Sequence, residues 1–368
     1  MNGTIGKHWL RAAALLLCVA ALPSMIHALP PEEWMAVGQA AVIAAASLQQ
    51  PEAGLRYLQP QWTASTETPK AQNREVTAPK PEAASTEQAE EAAASPIPPK
   101  GPGGGAVKEL QLDTGKPAVG AVAVKNNSGV SYDLAALFAA GSPVSIADTA
   151  EPQVLIVHTH TTESYMSYYA GYYNDDDATR STEESDNVVA VGEAIAAGLE
   201  SQGVGVVHSR AVHDDPEFSG AYVRSEATIL RELEAHPSIR VVLDIHRDAM
   251  MADDRTKYKP TVTIAGRKAA QMMLVIGATD TEDLPNAYCS ENIRFGLQLQ
   301  QTLASNYDGL MRPILLEDAR YNQGLRVGSL LIEVGTDANT LSEAVFSGRL
   351  LGASLGEMLR GSQPNERK

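Results

Sequence analysis

The stretch VLIVHTHTTESY, residues 154–165, decides the fold class, because four apolar residues run directly into two histidines, three threonines and a glutamate. A short apolar run bounded by polar residues is typical of a buried β-strand. Apolar residues then recur at helical spacing, and residues 204–207 form a second apolar run. The helical set comprises Val188, Val191, Ile195 and Leu199. We therefore predict a strand, a helix and a second strand in succession.

The alternation continues to the end of the chain. Further strands are predicted at residues 239–246, 261–265, 272–277 and 328–335, and further helices at residues 222–235, 292–306 and 340–360. Alternating strands and helices favour an α/β fold with a mostly parallel sheet and helices on both faces. In such sheets, ligands bind beyond the carboxyl ends of the strands. A functional site is therefore expected at that edge.

Three of the predicted strands end in residues whose side chains can bind a metal or transfer a proton. The first runs into His158 and His160, the strand VVLDIH ends at His246 followed by Arg247, and LLIEVG carries Glu333. Because the carboxyl ends of parallel strands meet at one edge, these side chains are expected to converge. Imidazoles and a carboxylate at one edge suit a catalytic Zn²⁺ with an open position for water. A further carboxylate would serve as general base and acid.

Simpler interpretations remain open for each of these residues. Side chains alternate along a strand, so only one of His158 and His160 faces the site if the strand continues through both. Either histidine alone is also consistent with a hydrogen-bonded structural residue. Arg247 would stabilise a developing oxyanion or, equally, pair with Asp244 or Asp248.

The N-terminal part of the chain has a different composition. Basic residues precede an unbroken apolar run, residues 12–22, which predicts a signal anchor over residues 1–29 and places the bulk of the chain outside the cytoplasm. The remaining predicted segments are a juxtamembrane helix (30–58), a disordered Pro/Ala/Glu/Gly linker (59–105), a lead-in (106–150) and a catalytic domain (151–362). The formal net charge of −16 leaves no basic footprint for nucleic acid.

Five blocks of the sequence carry a resemblance to a known family. In chain order, over roughly residues 151–360, they are VLIVHTHTTESY, NVVAVGEAIAAGLESQG, VVHSRAVHDDPEFSGAYVRSEATILREL, VVLDIHRDA and YNQGLRVGSLLIEVGTDANTLSEA. The chain resembles the stage II sporulation protein P family. This resemblance implies an amidase-like three-layer sandwich and a zinc-dependent N-acetylmuramoyl-L-alanine amidase that also cleaves peptide cross-links. It further implies action on peptidoglycan between two membranes during forespore engulfment, beside a lytic transglycosylase like stage II sporulation protein D.

The resemblance also implies roles for individual residues. His160 and His246 match the ligand histidines of the amidase pattern, and Glu333 matches its catalytic carboxylate. The amidase pattern has a glutamate at the start of the first helix as the middle ligand, and this chain departs from that pattern. We assign Asp186 to this position, with Glu163 as the competing candidate.

His158 is expected to orient a ligand or the substrate, and would itself be the ligand if the strand were rotated by one residue. Candidate substrate-binding groups are Tyr222, Arg224, Asn322 and Arg326. The unmatched middle ligand also supports a second hypothesis, in which the chain is a catalytically weak wall-binding or scaffold module.

Overall fold

The computed structural model describes residues 97–281 and 285–361. The predicted anchor (1–29), juxtamembrane segment (30–58) and residues 59–96 of the predicted linker lie outside the described residues. Within the described ranges, no helix combines the length and apolar character needed to cross a membrane.

The described residues form eleven strands and five α-helices. The strands are β1 (Gly105–Leu110), β2 (Val124–Asn126), β3 (Pro152–Val157), β4 (Tyr172–Tyr173), β5 (Gly205–His208), β6 (Val241–Asp248), β7 (Lys257–Ile264), β8 (Arg267–Ala270), β9 (Met272–Gly277), β10 (Ile314–Glu317) and β11 (Ser329–Thr336). The helices are α1 (Leu134–Ala139), α2 (Val188–Ser201), α3 (Ala221–Ala235), α4 (Cys289–Asn306) and α5 (Leu341–Gly361).

The larger sheet of the described residues has seven strands in the order β2-β10-β9-β11-β6-β3-β5. Five of its six pairings are parallel, and β9 runs antiparallel to β11. The prediction of an α/β fold is confirmed. The edge strand β2 comes from the predicted lead-in, which therefore contributes to this sheet.

Helices pack against both faces of the larger sheet. On one face, Ile156 and Leu243 of neighbouring strands pack with Ile195 of α2, in a core that also contains residues of α4 and α5. On the other face, Leu155 and Val157 pack with Ile229 of α3 and with Ile239 and Val242. This division follows from the alternation of side chains along each strand. The strand interiors read as continuous apolar runs because both faces are covered.

A second sheet of four strands, in the order β4-β1-β7-β8, was not predicted. The strand predicted at residues 261–265 is part of β7, which begins at Lys257 and pairs with β1. Lysines at 257 and 259 hide this strand in the sequence. In the structure, Lys259 is 1% exposed and its Nζ lies 2.6 Å from Glu343 Oε1 and 3.2 Å from Glu109 Oε2. Carboxylates from distant segments thus neutralise a lysine inside the strand.

Helices α2 and α5 pack backbone against backbone. A Cβ built on Gly352 would collide with the carbonyl oxygen of Ile195, and one built on Gly198 would lie 2.9 Å from the Cα of Gly352. The two glycines are therefore required by the close approach of the helices. This contact joins α5 to α2, whose first residue, Val188, donates its amide to the carbonyl of Glu163.

Candidate metal centre

Within residues 97–281 and 285–361, one group of three potential ligands presents its donor atoms within 4.8 Å of one another. The group consists of His160, Glu163 and His246. His160 and Glu163 belong to the loop that follows β3, and His246 belongs to β6. Glu333 of β11 is the register partner of His246, so the two residues lie side by side on adjacent parallel strands. The structure therefore brings together the predicted strand ends.

The distances in this group fit a small cation. Glu163 Oε1 lies 3.4 Å from His160 Nδ1, and Glu163 Oε2 lies 3.4 Å from His246 Nδ1. Tetrahedral zinc with bonds of about 2.0–2.1 Å separates its ligand atoms by about 3.3 Å. Two imidazole nitrogens and one carboxylate also match the ligand types of catalytic zinc. The residues present therefore fit a zinc ion.

The backbone around Glu163 explains why this carboxylate lies between the two imidazoles. The Glu163 amide donates to the carbonyl of His160 at 3.1 Å, which closes a turn directly after β3. The Glu163 carbonyl accepts from Val188 at 2.9 Å, and its Oε2 accepts from the backbone amide of Arg247 at 3.1 Å. The carboxylate is thus held by β6, and the Glu163 backbone by the start of α2.

The charges in the cluster are strongly coupled. Burial favours the neutral form of Glu163, but the adjacent imidazoles of His160 and His246 outweigh this effect and hold the pKa of Glu163 far below its usual range. Burial likewise disfavours the charged imidazole of His246, but Asp244 and Glu163 raise its pKa well above the usual value. Since carboxylates dominate the surroundings of His246, the cluster favours a positive charge, whether a proton or a metal ion.

Glu333 is in the opposite electrostatic situation. Burial raises its pKa to about 8; His246 partly opposes this shift, and the carboxylates of Glu163 and Asp248 add to it. Its Oε2 atom is buried and, among the described residues, has no hydrogen-bond partner. A carboxyl group with a pKa near neutrality beside potential metal ligands is suited to accept and return a proton.

Comparison with known proteins places the chain in a family. The family model described as Stage II sporulation protein P (SpoIIP) matches residues 42–355. The chain belongs to the stage II sporulation protein P family. Stage II sporulation protein P of Bacillus subtilis (strain 168) is 29% identical over an alignment of 201 residues, and the match covers 52% of this chain and 47% of that protein. The chain thus spans about half the length of this curated relative. The resemblance found in the sequence is confirmed.

Three solved structures align with more than half of this SpoIIP-family chain. An N-acetylmuramyl-L-alanine amidase from Mycobacterium smegmatis has 15% identity and a TM-score of 0.34, covering 60% of this chain and 100% of that chain. The CwlD amidase from Clostridioides difficile, in complex with the GerS lipoprotein, has 13% identity and a TM-score of 0.33, covering 57% and 100%. An amidase of Nostoc punctiforme has 11% identity and a TM-score of 0.31, covering 57% and 96%. TM-scores of this size support no conclusion about this chain.

His158 of this SpoIIP-family chain lies outside the metal cluster. It is fully buried, its Nδ1 is 3.1 Å from the carbonyl oxygen of Ile245, and its Nε2 is 2.9 Å from His208 Nε2. Burial lowers the pKa of His158 well below its usual value, and His208 adds to this effect. A Cβ on Gly192 of α2 would lie 2.7 Å from His158 Nε2, so the imidazole faces the α2 side of the sheet. His160 faces the cluster.

Asp186, assigned from the sequence as the middle ligand, also lies outside the cluster. It is exposed, and the next residue, Asn187, caps α2 by accepting a hydrogen bond from the amide of Val189 at 2.9 Å. The Asp186 backbone lies beside the loop after β3, since its carbonyl accepts from the amide of Tyr165 at 3.1 Å, but its side chain is exposed to solvent. The geometry favours Glu163 in its place, and the metal role of either residue stays a prediction.

Arg247 braces the loop that carries the cluster. Its Nε donates to the carbonyl of Ser164 at 3.1 Å, and its Nη2 donates to the carbonyl of Thr179 at 2.6 Å. The expected alternative partners are engaged elsewhere. Asp248 Oδ2 pairs with Arg312 at 2.8 Å, and Asp244 Oδ1 lies 3.0 Å from His246 Nε2.

An aromatic rim lies beside His160, and sequence reasoning missed its most exposed member. The ring of Phe218, which is 53% exposed, stacks on His160 with centroids 4.6 Å apart. Tyr222 meets the same imidazole edge-on at 5.6 Å. An isolated phenylalanine in the polar segment DDPEFSG was the available signal. Arg224 and Asn322, predicted to bind substrate, donate to the carbonyls of His213 at 2.5 Å and Tyr222 at 2.9 Å.

Proposed function

We propose that this chain is a zinc-dependent peptidoglycan hydrolase that cleaves the amide between N-acetylmuramic acid and the stem peptide. The observation that carries the proposal is the position of Glu333 beside His246, next to a cluster whose distances fit zinc; its Oε2 has no hydrogen-bond partner among the described residues. Membership of the stage II sporulation protein P family supports a role in sporulation.

His160, Glu163 and His246 would hold the ion, leaving a fourth position for water or substrate. When bound, zinc would supply Lewis acidity, which makes water more acidic and polarises the substrate carbonyl. Glu163 would be the third donor, in the ligand position that the sequence pattern left unmatched and that supported the scaffold hypothesis. A binding module with no turnover is therefore the less favoured function.

Glu333 would move the proton. Without the ion, burial raises the pKa of Glu333 to about 8, and a bound cation would lower it, so the carboxyl can exchange protons near neutral pH. Its Oε2 would take a proton from the attacking water and return it to the leaving amine. Arg247 would act by holding the loop of residues 163–166, because its guanidinium is already bonded to two backbone carbonyls. His158 would fix the backbone at Ile245, directly before His246.

The cellular setting is part of the proposal. The apolar leader, residues 1–29, supports a membrane anchor with the catalytic domain outside the cytoplasm, in the space between two membranes of the sporulating cell. Family membership supports peptidoglycan as substrate, engulfment as the process and a stage II sporulation protein D-like lytic transglycosylase as partner. Cleavage of peptide cross-links would be a second activity of the same site.

Labelled peptidoglycan sacculi test the proposed reaction. The purified chain with zinc should release fragments, and mass spectrometry of these fragments distinguishes the two activities. Free stem peptides indicate amidase activity, whereas shortened cross-links indicate endopeptidase activity. A Glu333→Gln variant should retain zinc and lose turnover by about 10²–10⁴-fold. If the wild-type chain releases no more than its chelated control, the scaffold function is favoured instead.

A further inference from the structure

A buried carboxylate lies behind the candidate metal cluster. Asp244 is 4% exposed and comes two residues before His246 on β6, so both side chains lie on the same face of the sheet. Asp244 Oδ1 is 3.0 Å from His246 Nε2, whereas His246 Nδ1 is turned towards Glu163 at 3.4 Å. The two ring nitrogens of His246 therefore face different carboxylates.

The proton on His246 is constrained by this arrangement. A neutral imidazole binds a metal through the nitrogen that lacks a proton, so ligation through Nδ1 requires the proton on Nε2. The Nε2 atom of His246 is buried. Asp244 Oδ1 lies close to Nε2 but away from the ideal N–H direction, and no other described residue offers Nε2 a better-aligned acceptor. A carboxylate at 3.0 Å favours the proton on the adjacent nitrogen.

The same carboxylate also holds the loop that carries the other histidine. Asp244 Oδ1 accepts the backbone amide of Thr159 at 2.8 Å, and Oδ2 accepts the Thr159 hydroxyl at 2.6 Å. Thr159 directly precedes His160, so these bonds fix the chain where it leaves β3. The Thr159 hydroxyl also lies 2.7 Å from Ser225 Oγ, which connects the carboxylate to α3.

We propose that Asp244 is a positioning residue that orients both imidazole donors of the metal site. It keeps the proton of His246 on Nε2, so that Nδ1 is free to bind the ion, and it anchors Thr159, so that His160 faces the same point. This inference rests on the proposed zinc site and extends it to a residue that does not touch the ion.

The test substitutes Asp244→Asn, which removes the charge but keeps an acceptor for the Thr159 amide. We expect zinc affinity, measured by competition with a chromophoric chelator, to fall about 10- to 100-fold. Asp248→Asn is the matched control. It removes the same charge from the same strand, but from a carboxylate that pairs with Arg312. The control should bind zinc within about twofold of the wild type. Equal zinc affinity in Asp244→Asn and wild type would overturn the proposal.

A second measurement needs only the wild-type chain and is independent of the folding of any variant. Nitrogen-15 NMR of the imidazole rings should show His246 protonated on Nε2 in the zinc-loaded chain, and also in the metal-free chain at a pH where the ring is neutral. Protonation on Nδ1 in the metal-free chain would contradict the role of Asp244. Both readouts are made without substrate. A chain with this zinc site that releases nothing from sacculi would therefore refute the proposed hydrolysis and leave this inference standing.

Discussion

Glu163 links the two imidazoles of the candidate metal centre, because each of its oxygens lies 3.4 Å from one Nδ1 atom. Its low pKa keeps it ionised over the physiological range, so it would remain a charged donor. The residue lies in a turn only three positions after His160. That spacing made it a candidate from sequence, but periodicity does not show the path of the loop after β3.

Substitution separates the two candidates for the middle ligand. Glu163→Gln should lower zinc affinity by more than about 100-fold. Residues that only hydrogen-bond to a metal ligand contribute up to about 100-fold, so a direct ligand should contribute more. Asp186→Asn is the matched control, because it also neutralises one carboxylate but at an exposed position outside the cluster. The control should bind zinc like the wild type in a chelator competition. The reverse pattern would restore Asp186 as the ligand.

The raised pKa of Glu333 predicts a pH dependence of stability in the metal-free chain. The folded state holds the proton up to about pH 8, whereas an ordinary glutamate loses it near 4.5. The contribution of Glu333 to the free energy of unfolding should therefore be greatest below pH 4.5 and should be lost as the pH rises through 8.

Glu333→Gln removes this loss because glutamine does not ionise. In denaturant unfolding with chelator at pH 9, the variant should exceed the wild type by up to about 5 kcal/mol, because a shift of one pKa unit corresponds to about 1.4 kcal/mol. At pH 5 the difference should nearly vanish. If the difference in unfolding free energy between wild type and variant were the same at both pH values, the Glu333 carboxyl would not be buried in its neutral form.

Among the elements, the strands that carry the site were predictable from sequence, and the smaller sheet was not. β3, β6 and β11 could be identified because each is an apolar run that ends in polar residues, and the α/β pattern placed those ends together. The smaller sheet escaped prediction because β7 contains lysines, which are neutralised by residues far away in sequence such as Glu343. Charge compensation of this kind depends on the tertiary fold, which local periodicity does not contain.

The contact between α2 and α5 gives a prediction for a single glycine. Gly352→Ala should destabilise the chain by about 1–3 kcal/mol, because the added methyl group would collide with the backbone of α2. Gly361→Ala is the control in the same helix, since a Cβ there meets no atom of the described residues within 4 Å. The control should leave stability unchanged or raise it by up to about 1 kcal/mol. Equal unfolding midpoints for the two variants would contradict the close helix contact.

For the molecule as a whole, the sequence pattern predicts where the strands lie but not the direction in which each one runs. The sequence pattern favoured a mostly parallel sheet, yet β9 runs antiparallel to β11 in the middle of it. Apolar periodicity identifies a strand but carries no information about its direction. The site was less affected, because β3, β6 and β11 belong to the parallel part of the sheet.

The metal site joins the loop after β3 to β6, so zinc should stabilise the folded chain. At a free zinc concentration of 100 times the dissociation constant, the free energy of unfolding should rise by about 2.7 kcal/mol. Thermal unfolding with zinc and with chelator measures this difference. The His160→Ala and His246→Ala variants should show no such rise. A zinc effect that survives in both variants would place the ion elsewhere.

A crystal structure of the zinc-loaded chain, with anomalous scattering recorded at the zinc edge, tests the proposed zinc site most directly. We expect one strong peak about 2.0–2.2 Å from His160 Nδ1, His246 Nδ1 and a carboxylate oxygen of Glu163, with Glu333 beside it. A peak at other residues, or no peak at this cluster in a zinc-saturated crystal, would contradict it.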